Sequence, residues 1–173
     1  MEEHFETFDD EGTSVGLVPR SEVHRLGLWH RSAHVFLFNS RGELLVQKRA
    51  PDKDLYADLW DYSVGEHLKP GESFTEGAIR GLNEELGVVG IEVAPIGEVR
   101  KSRLIEARLG VADCEMQQAY RAVYDGEVVP DVVEVAAVRF VSLDELAAKI
   151  AAVPQCFTPW FVRDLVELDI LTC

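Results

Sequence analysis

The chain has 173 residues, enough for one domain that buries roughly two-thirds of the surface its unfolded form would expose. With 31 acidic and 17 basic residues its formal charge is -14, which disfavours a nucleic-acid backbone or an anionic membrane as partner; an anionic ligand would need local basic groups or metal ions. The cysteines Cys114, Cys156 and Cys173 lack metal-ligand or framework spacing and read as reduced, mostly buried thiols, while an acidic N-terminus and the lack of a transmembrane-length apolar run point to a soluble, cytoplasmic chain.

No internal repeat or low-complexity segment divides the sequence. Residues 5–8 and 14–18 read as two short strands around the turn Asp9-Asp10-Glu11-Gly12, a small N-terminal hairpin. A short helix is expected over 20–25, followed by a strand over 29–38 that ends in an apolar run. Asn39-Ser40-Arg41-Gly42 then turns into a strand over 43–48, which predicts a second hairpin inside the sheet. The loop that follows carries Lys48, Arg49 and Lys53. Such groups suit the clamping of diphosphate oxygens, although basic residues in a solvated loop are also commonplace.

The most informative stretch is 65–88. Lys69-Pro70-Gly71 is a turn signal, and Ser73-x-x-Glu76 is a capping box, so a helix begins near Phe74. Ile79, Leu82 and Leu86 are spaced as one apolar stripe, and Gly87 sits where a left-handed cap would end the helix. Arg80 and Glu84 form an i, i+4 pair on the polar side, with Glu85 beside them. Two acids at a helix C-terminus oppose the helix dipole, which a hard dication such as Mg2+ would offset; the alternative is a solvated acidic face.

Beyond it, a strand is expected over 89–100 and a mixed-charge loop over 101–113, the natural place for substrate specificity. Strands follow over 116–124 and 132–141, then a helix capped by Ser142 and stopped by Pro154. A last helix opens at Thr158-Pro159, with Phe161, Leu165 and Leu168 packed on the body. Trp160 and Phe161 read as core aromatics, with contact to substrate as the other possible role.

Stretch 65–88 resembles the signature of the Nudix family, G-x5-E-x7-R-E-U-x-E-E-x-G-U with U aliphatic: Glu72, Arg80, Leu82, Glu84, Glu85, Gly87 and Val88 stand where the pattern wants them. Two positions depart. Glu66 occupies the place of the first glycine, with Gly65 one step early, and Gly81 replaces the first glutamate of the helix. The resemblance implies an α/β fold, an α/β/α sandwich with a mixed β-sheet and an N-terminal β-hairpin. Residues 1–173 would form one domain, with 1–30 as the hairpin extension and 65–88 as the box. It also implies an enzyme that uses Mg2+ or Mn2+ on diphosphates. Carried over by position, Glu84 and Glu85 are metal ligands, Arg80 orients them and Glu72 pairs with Arg80. Glu66 is a candidate replacement for the carboxylate missing at Gly81, or else a solvated loop residue; Gly65 is counted with the metal-binding positions.

From about residue 5 to 146 the chain also resembles the isopentenyl diphosphate isomerase branch of the superfamily, through Glu22-Val23-His24, Trp29-His30, Gln47-Lys48-Arg49, Lys53, Leu59-Trp60 and Ser63-Val64. That resemblance implies diphosphate binding by Arg49 and Lys53, and a possible second, transition-metal site at His30, His67 and Asp113. It makes Glu115 a further metal ligand or the base that activates water. The proton-transfer cysteine of the isomerases falls at Gly65, which has no side chain. Hydrolysis of a phosphoanhydride in a small diphosphate, such as a nucleoside di- or triphosphate, is therefore the simpler expectation. An isomerase or a catalytically weak diphosphate-binding module are the alternatives, acting as a monomer or homodimer.

Overall fold

The computed structural model describes residues 2–53 and 55–171, so Cys173 lies outside the described residues. Strands β1 (His4–Phe8) and β2 (Ser14–Pro19) form the expected N-terminal hairpin. Helix α1 (Arg20–Leu26) ends at Gly27, whose φ of 64° is the left-handed cap that glycine supplies without strain. Then follow β3 (Trp29–Phe38), β4 (Leu44–Arg49), β5 (Trp60–Asp61), β6 (Val64–His67), α2 (Phe74–Leu86), β7 (Ala94–Glu106), β8 (Val111–Val123), β9 (Val135–Val141), α3 (Leu143–Ala152) and α4 (Pro159–Glu167).

β3 is the spine of the sheet. It pairs antiparallel with β6 and parallel with β8, in register from Trp29↔Cys114 to Phe38↔Val123. The hairpin expected between β3 and β4 is confined to its turn, where Phe38 faces Leu44. Past that pair β4 turns away to join β9 and β5, which leaves both flanks of β3 free for β6 and β8.

Helices cover both faces. α2 buries Ala78, Leu82 and Leu86 against Ala33, Val35 and Val64, while Phe161 and Leu165 of α4 and Leu146 of α3 pack with Phe36, Phe38 and Tyr62 on the other side. This is the expected α/β/α arrangement. The box helix has the ends its sequence asked for. Ser73 Oγ accepts from the Glu76 amide at 3.3 Å, Glu76 Oε2 accepts from the Ser73 amide at 2.8 Å, and Gly87 closes the helix at φ 65°.

Three expectations are corrected. Ile79 does not belong to the buried stripe: it is 43% exposed, because the face turned to the sheet carries Gly77, Ala78, Gly81, Leu82, Glu85 and Leu86. The strand expected over 89–100 and the loop over 101–113 are replaced by one long hairpin, β7 and β8, with its tip at 107–110. Its mixed charge reflects an edge strand whose outward residues meet water. Cys156 is exposed, whereas Cys114 is buried as expected. Among the described residues no helix is long and apolar enough to cross a membrane.

Candidate active site

Arg80 organises the end of α2. Its Nε donates to Glu72 Oε1 at 2.8 Å and its Nη2 donates at 2.8 Å to Glu72 Oε2 and to the His67 carbonyl. Nη1 reaches Glu84 Oε2 at 3.0 Å and Glu66 Oε2 at 3.1 Å. Hydrogen bonds from Arg80 hold Glu72 below its ordinary carboxylate pKa. The expected pairing of Glu72 with Arg80 is present, and Arg80 reaches Glu84 but forms no ion pair with Glu85.

The two neighbouring glutamates part company. Glu84 is half exposed and also lies 3.4 Å from Lys69 Nζ. Glu85 points inward, is buried, and accepts a 2.7 Å hydrogen bond from the buried amide of Gln47. Burial pushes the Glu85 carboxyl up to about 8, and the charge of Glu66 adds to the shift. Among the described residues no lysine or arginine forms an ion pair with it. A buried carboxylate without a cation, in a cavity of about 470 Å³ shared with Glu66 and Glu84, fits a hard dication. Arg49 and Lys53 line the same cavity. Arg49 is held in place by Asp61 at 3.1 Å, the Leu55 carbonyl at 3.1 Å and the face of Trp160, while Lys53 is paired with Glu134.

Next to this cavity lies a second one of about 340 Å³, and the two share Arg20, Arg49, Gly65, Glu66 and His67. At its base His24 of α1, His30 of β3, His67 of β6 and Asp113 of β8 bring ligand atoms within 4.8 Å of one another. Phe5 of the N-terminal hairpin packs on all three rings, with centroids at 6.0, 5.2 and 4.6 Å, which gives that hairpin a structural task at the site. Burial depresses the His30 pKa and takes His67 down to about 3, so both imidazoles are neutral at pH 7. Burial raises Asp113 to about 8, and the neighbouring Glu115 adds to the effect, so the negative charge of that pair rests on Glu115. His30 Nε2 and Asp113 Oδ1 are buried with no hydrogen-bond partner. Orphaned nitrogen and oxygen lone pairs converging on one point fit a transition metal.

Glu115 belongs to this second group. Its Oε1 is 3.3 Å from His67 Nε2 and 3.9 Å from His30 Nε2, and it lines the histidine cavity but not the carboxylate one. Glu115, expected as a further metal ligand or the base that activates water, thus stands with the histidines, because the parallel pairing of β8 with β3 sets it opposite His30. Gly65 lines both cavities and can offer a metal only its carbonyl. A Cβ there would have room, 3.7 Å from Tyr62 Cδ2. Trp160 packs half-buried against the core and also walls the histidine cavity, its indole donating to Asp61 at 2.8 Å; Phe161 beside it is fully core. Sequence reasoning did not assign His24 or Gln47. His24 follows Glu22-Val23 in α1, and only the folding of α1 against β8 gives it a role; Gln47 had no signal beyond its place beside Lys48 and Arg49.

An α/β/α sandwich with a capped helix presenting carboxylates and an arginine to a cation-ready cavity defines the class to which the chain is to be compared. The model of the NUDIX domain family matches residues 28–161. An isopentenyl-diphosphate Delta-isomerase of Nocardia farcinica is 36% identical over 165 residues, covering 95% of this chain and 93% of that protein. One from Halorhodospira halophila is 34% identical over 168 residues, covering 95% and 94%. Among solved structures, a Deinococcus radiodurans protein superposes with a TM-score of 0.75 at 22% identity, covering 99% of this chain and 100% of its own. A MutT NUDIX hydrolase from Burkholderia pseudomallei gives 0.63 at 20% identity, covering 83% and 98%. The chain belongs to the Nudix family, close to its isopentenyl diphosphate isomerase branch.

Proposed function

We propose that the protein is a divalent-metal-dependent hydrolase that cleaves a phosphoanhydride in a small diphosphate compound, a nucleoside di- or triphosphate being the leading candidate. The observation that carries this reading is Glu85: a buried carboxylate that forms no ion pair among the described residues, facing a cavity that Arg49 and Lys53 also line. Mg2+ or Mn2+ held by Glu84, Glu85 and Glu66 would supply Lewis acidity toward phosphoryl oxygens and toward water. The chain's own groups do the rest. Arg49, preset by Asp61 and Leu55, binds one phosphate, and Lys53 exchanges Glu134 for phosphate oxygen. Arg80 keeps Glu84 in place. Water attacks phosphorus, the bridging P–O bond breaks, the electron pair leaves with the departing phosphate, and Glu85 accepts the proton of the water. No nucleic acid or membrane is needed, and one copy supplies every residue named, so a monomer or a homodimer would serve.

The second reading is an isopentenyl diphosphate isomerase, favoured by the names of the relatives and by the histidine cluster, at which His24, His30, His67 and Asp113 would hold a transition metal. Against it stands Gly65: the site presents no thiol there, and Cys114 and Cys156 line neither cavity. Incubating the protein with Mg2+ and a panel of nucleotides and isoprenoid diphosphates separates the readings. Phosphate release is expected. Double-bond migration without phosphate release would establish the isomerase, and the absence of both would leave a diphosphate-binding module.

A further inference from the structure

We propose that Glu66 is the third carboxylate of the cation site at the end of α2, and that Gly81 exists to let strand β6 deliver it. The inference deepens the hydrolase reading and rests on it.

Helix α2 lies against β6 with no space for a side chain at position 81. A methyl group on Gly81 would sit 2.6 Å from Val64 Cγ1, 3.0 Å from Glu66 Cβ and 3.4 Å from Glu66 Cγ. The first distance is well inside van der Waals contact, so any other residue would have to displace the Val64 and Glu66 side chains. Glycine within a helix costs about 1 kcal/mol relative to alanine, and Gly81 is buried, so no solvent-facing role accounts for it. What it permits is the approach of β6, and what comes through the gap is the Glu66 side chain.

Glu66 is not on a free loop. Its backbone is fixed opposite Ala33 of β3, with Gly65 opposite His34, so a strand sets where its carboxylate stands. From there Oε2 reaches Arg80 Nη1 at 3.1 Å, the nitrogen that also holds Glu84 Oε2 at 3.0 Å. Arg80 has no need of Glu66 for its own satisfaction: its Nε and Nη2 are already engaged by both Glu72 oxygens and the His67 carbonyl. Arg80 and Lys69 against Glu66, Glu72 and Glu84 leave one negative charge in excess, and Glu85 of the same cavity adds a carboxyl that a cation would ionise. The surplus is what a dication with oxygen ligands requires. An acid moved from the helix to the adjacent strand, with the helix position emptied to make room, describes the whole arrangement.

The test is calorimetric titration of the full chain with Mg2+ alone, together with thermal melting in chelator. Wild type is expected to bind, Glu85→Gln to abolish binding, and Glu66→Gln to weaken it on the order of tenfold or more while melting normally in chelator. Gly81→Ala, which keeps every carboxylate but crowds the Val64 and Glu66 side chains, is expected to weaken Mg2+ several-fold, and it tests the spatial half independently. Wild-type Mg2+ affinity in both Glu66→Gln and Gly81→Ala would overturn the inference and leave the hydrolase reading standing. Absence of Mg2+ binding by wild type would remove the hydrolase reading itself.

Discussion

Two cavities share a wall of Arg20, Arg49, Gly65, Glu66 and His67, yet their remaining linings differ in kind. In the carboxylate cavity Arg80 binds Glu72, Glu84 and Glu66, while the buried Glu85 forms no ion pair among the described residues. In the histidine cavity the imidazoles of His30 and His67 are neutral, and His30 Nε2 and Asp113 Oδ1 are buried 3.4 Å apart without a hydrogen bond. The difference teaches what each is for. On the proposed reading, charged oxygens around an arginine would suit a hard cation and phosphates that come and go, whereas neutral nitrogens under Phe5 would suit a softer metal that stays.

The comparison breaks most severely at Glu85. Glu85→Gln is expected to lower turnover by about 10²–10⁴-fold, read as phosphate release, since it removes both the proton acceptor and a cation ligand. Next comes the support beneath the histidine cavity. Asp164 is fully buried, accepts from the Tyr62 hydroxyl at 2.6 Å, and faces Arg100 at 3.0 Å and His34 at 3.6 Å. Burial opposes its ionisation, but His34, Tyr62 and Arg163 outweigh that and hold its pKa below the ordinary aspartate value. A depressed carboxylate contributes stability above the unfolded value of about 3.9 and loses it as the pH falls through the native one. Asp164→Asn is therefore expected to cost about 3–5 kcal/mol at pH 7 in urea unfolding, and to flatten the loss of stability in acid.

Smaller effects sharpen the contrast. His30→Ala is expected to weaken Zn2+ by roughly 10–100-fold while leaving Mg2+ binding unchanged; loss of both would mean that the cavities act as one metal site. Tyr56→Phe is the mildest. The Tyr56 hydroxyl donates to Glu106 near the tip of the β7–β8 hairpin, and its ring meets Trp160 edge-on at 5.0 Å. Loss of one hydrogen bond, about 0.5–1.5 kcal/mol net, is expected to shift KM a few-fold with kcat unchanged.

The box helix was legible because its information is local: Ser73, Glu76 and Gly87 fix both ends by backbone chemistry that depends on neighbours a few residues away. Its buried face was only half legible. Periodicity ranks Ile79 above Glu85, but the sheet lies under Glu85. The β7–β8 hairpin was hidden because an edge strand with solvated side chains has the composition of a loop. Site residues on the matched pattern could be named one by one, yet their grouping could not. Glu115 joins the histidines and His24 joins His30 through the pairing of β3 with β8 and the docking of α1, contacts between segments distant in sequence.

The most direct measurement is turnover of a nucleoside diphosphate in oxygen-18 water with Mg2+, followed by mass spectrometry of the products. The account predicts one oxygen-18 atom in a released phosphate, in wild type and not in Glu85→Gln. No labelled phosphate, together with solvent deuterium entering the carbon skeleton of an isoprenoid diphosphate in a parallel reaction, would contradict it.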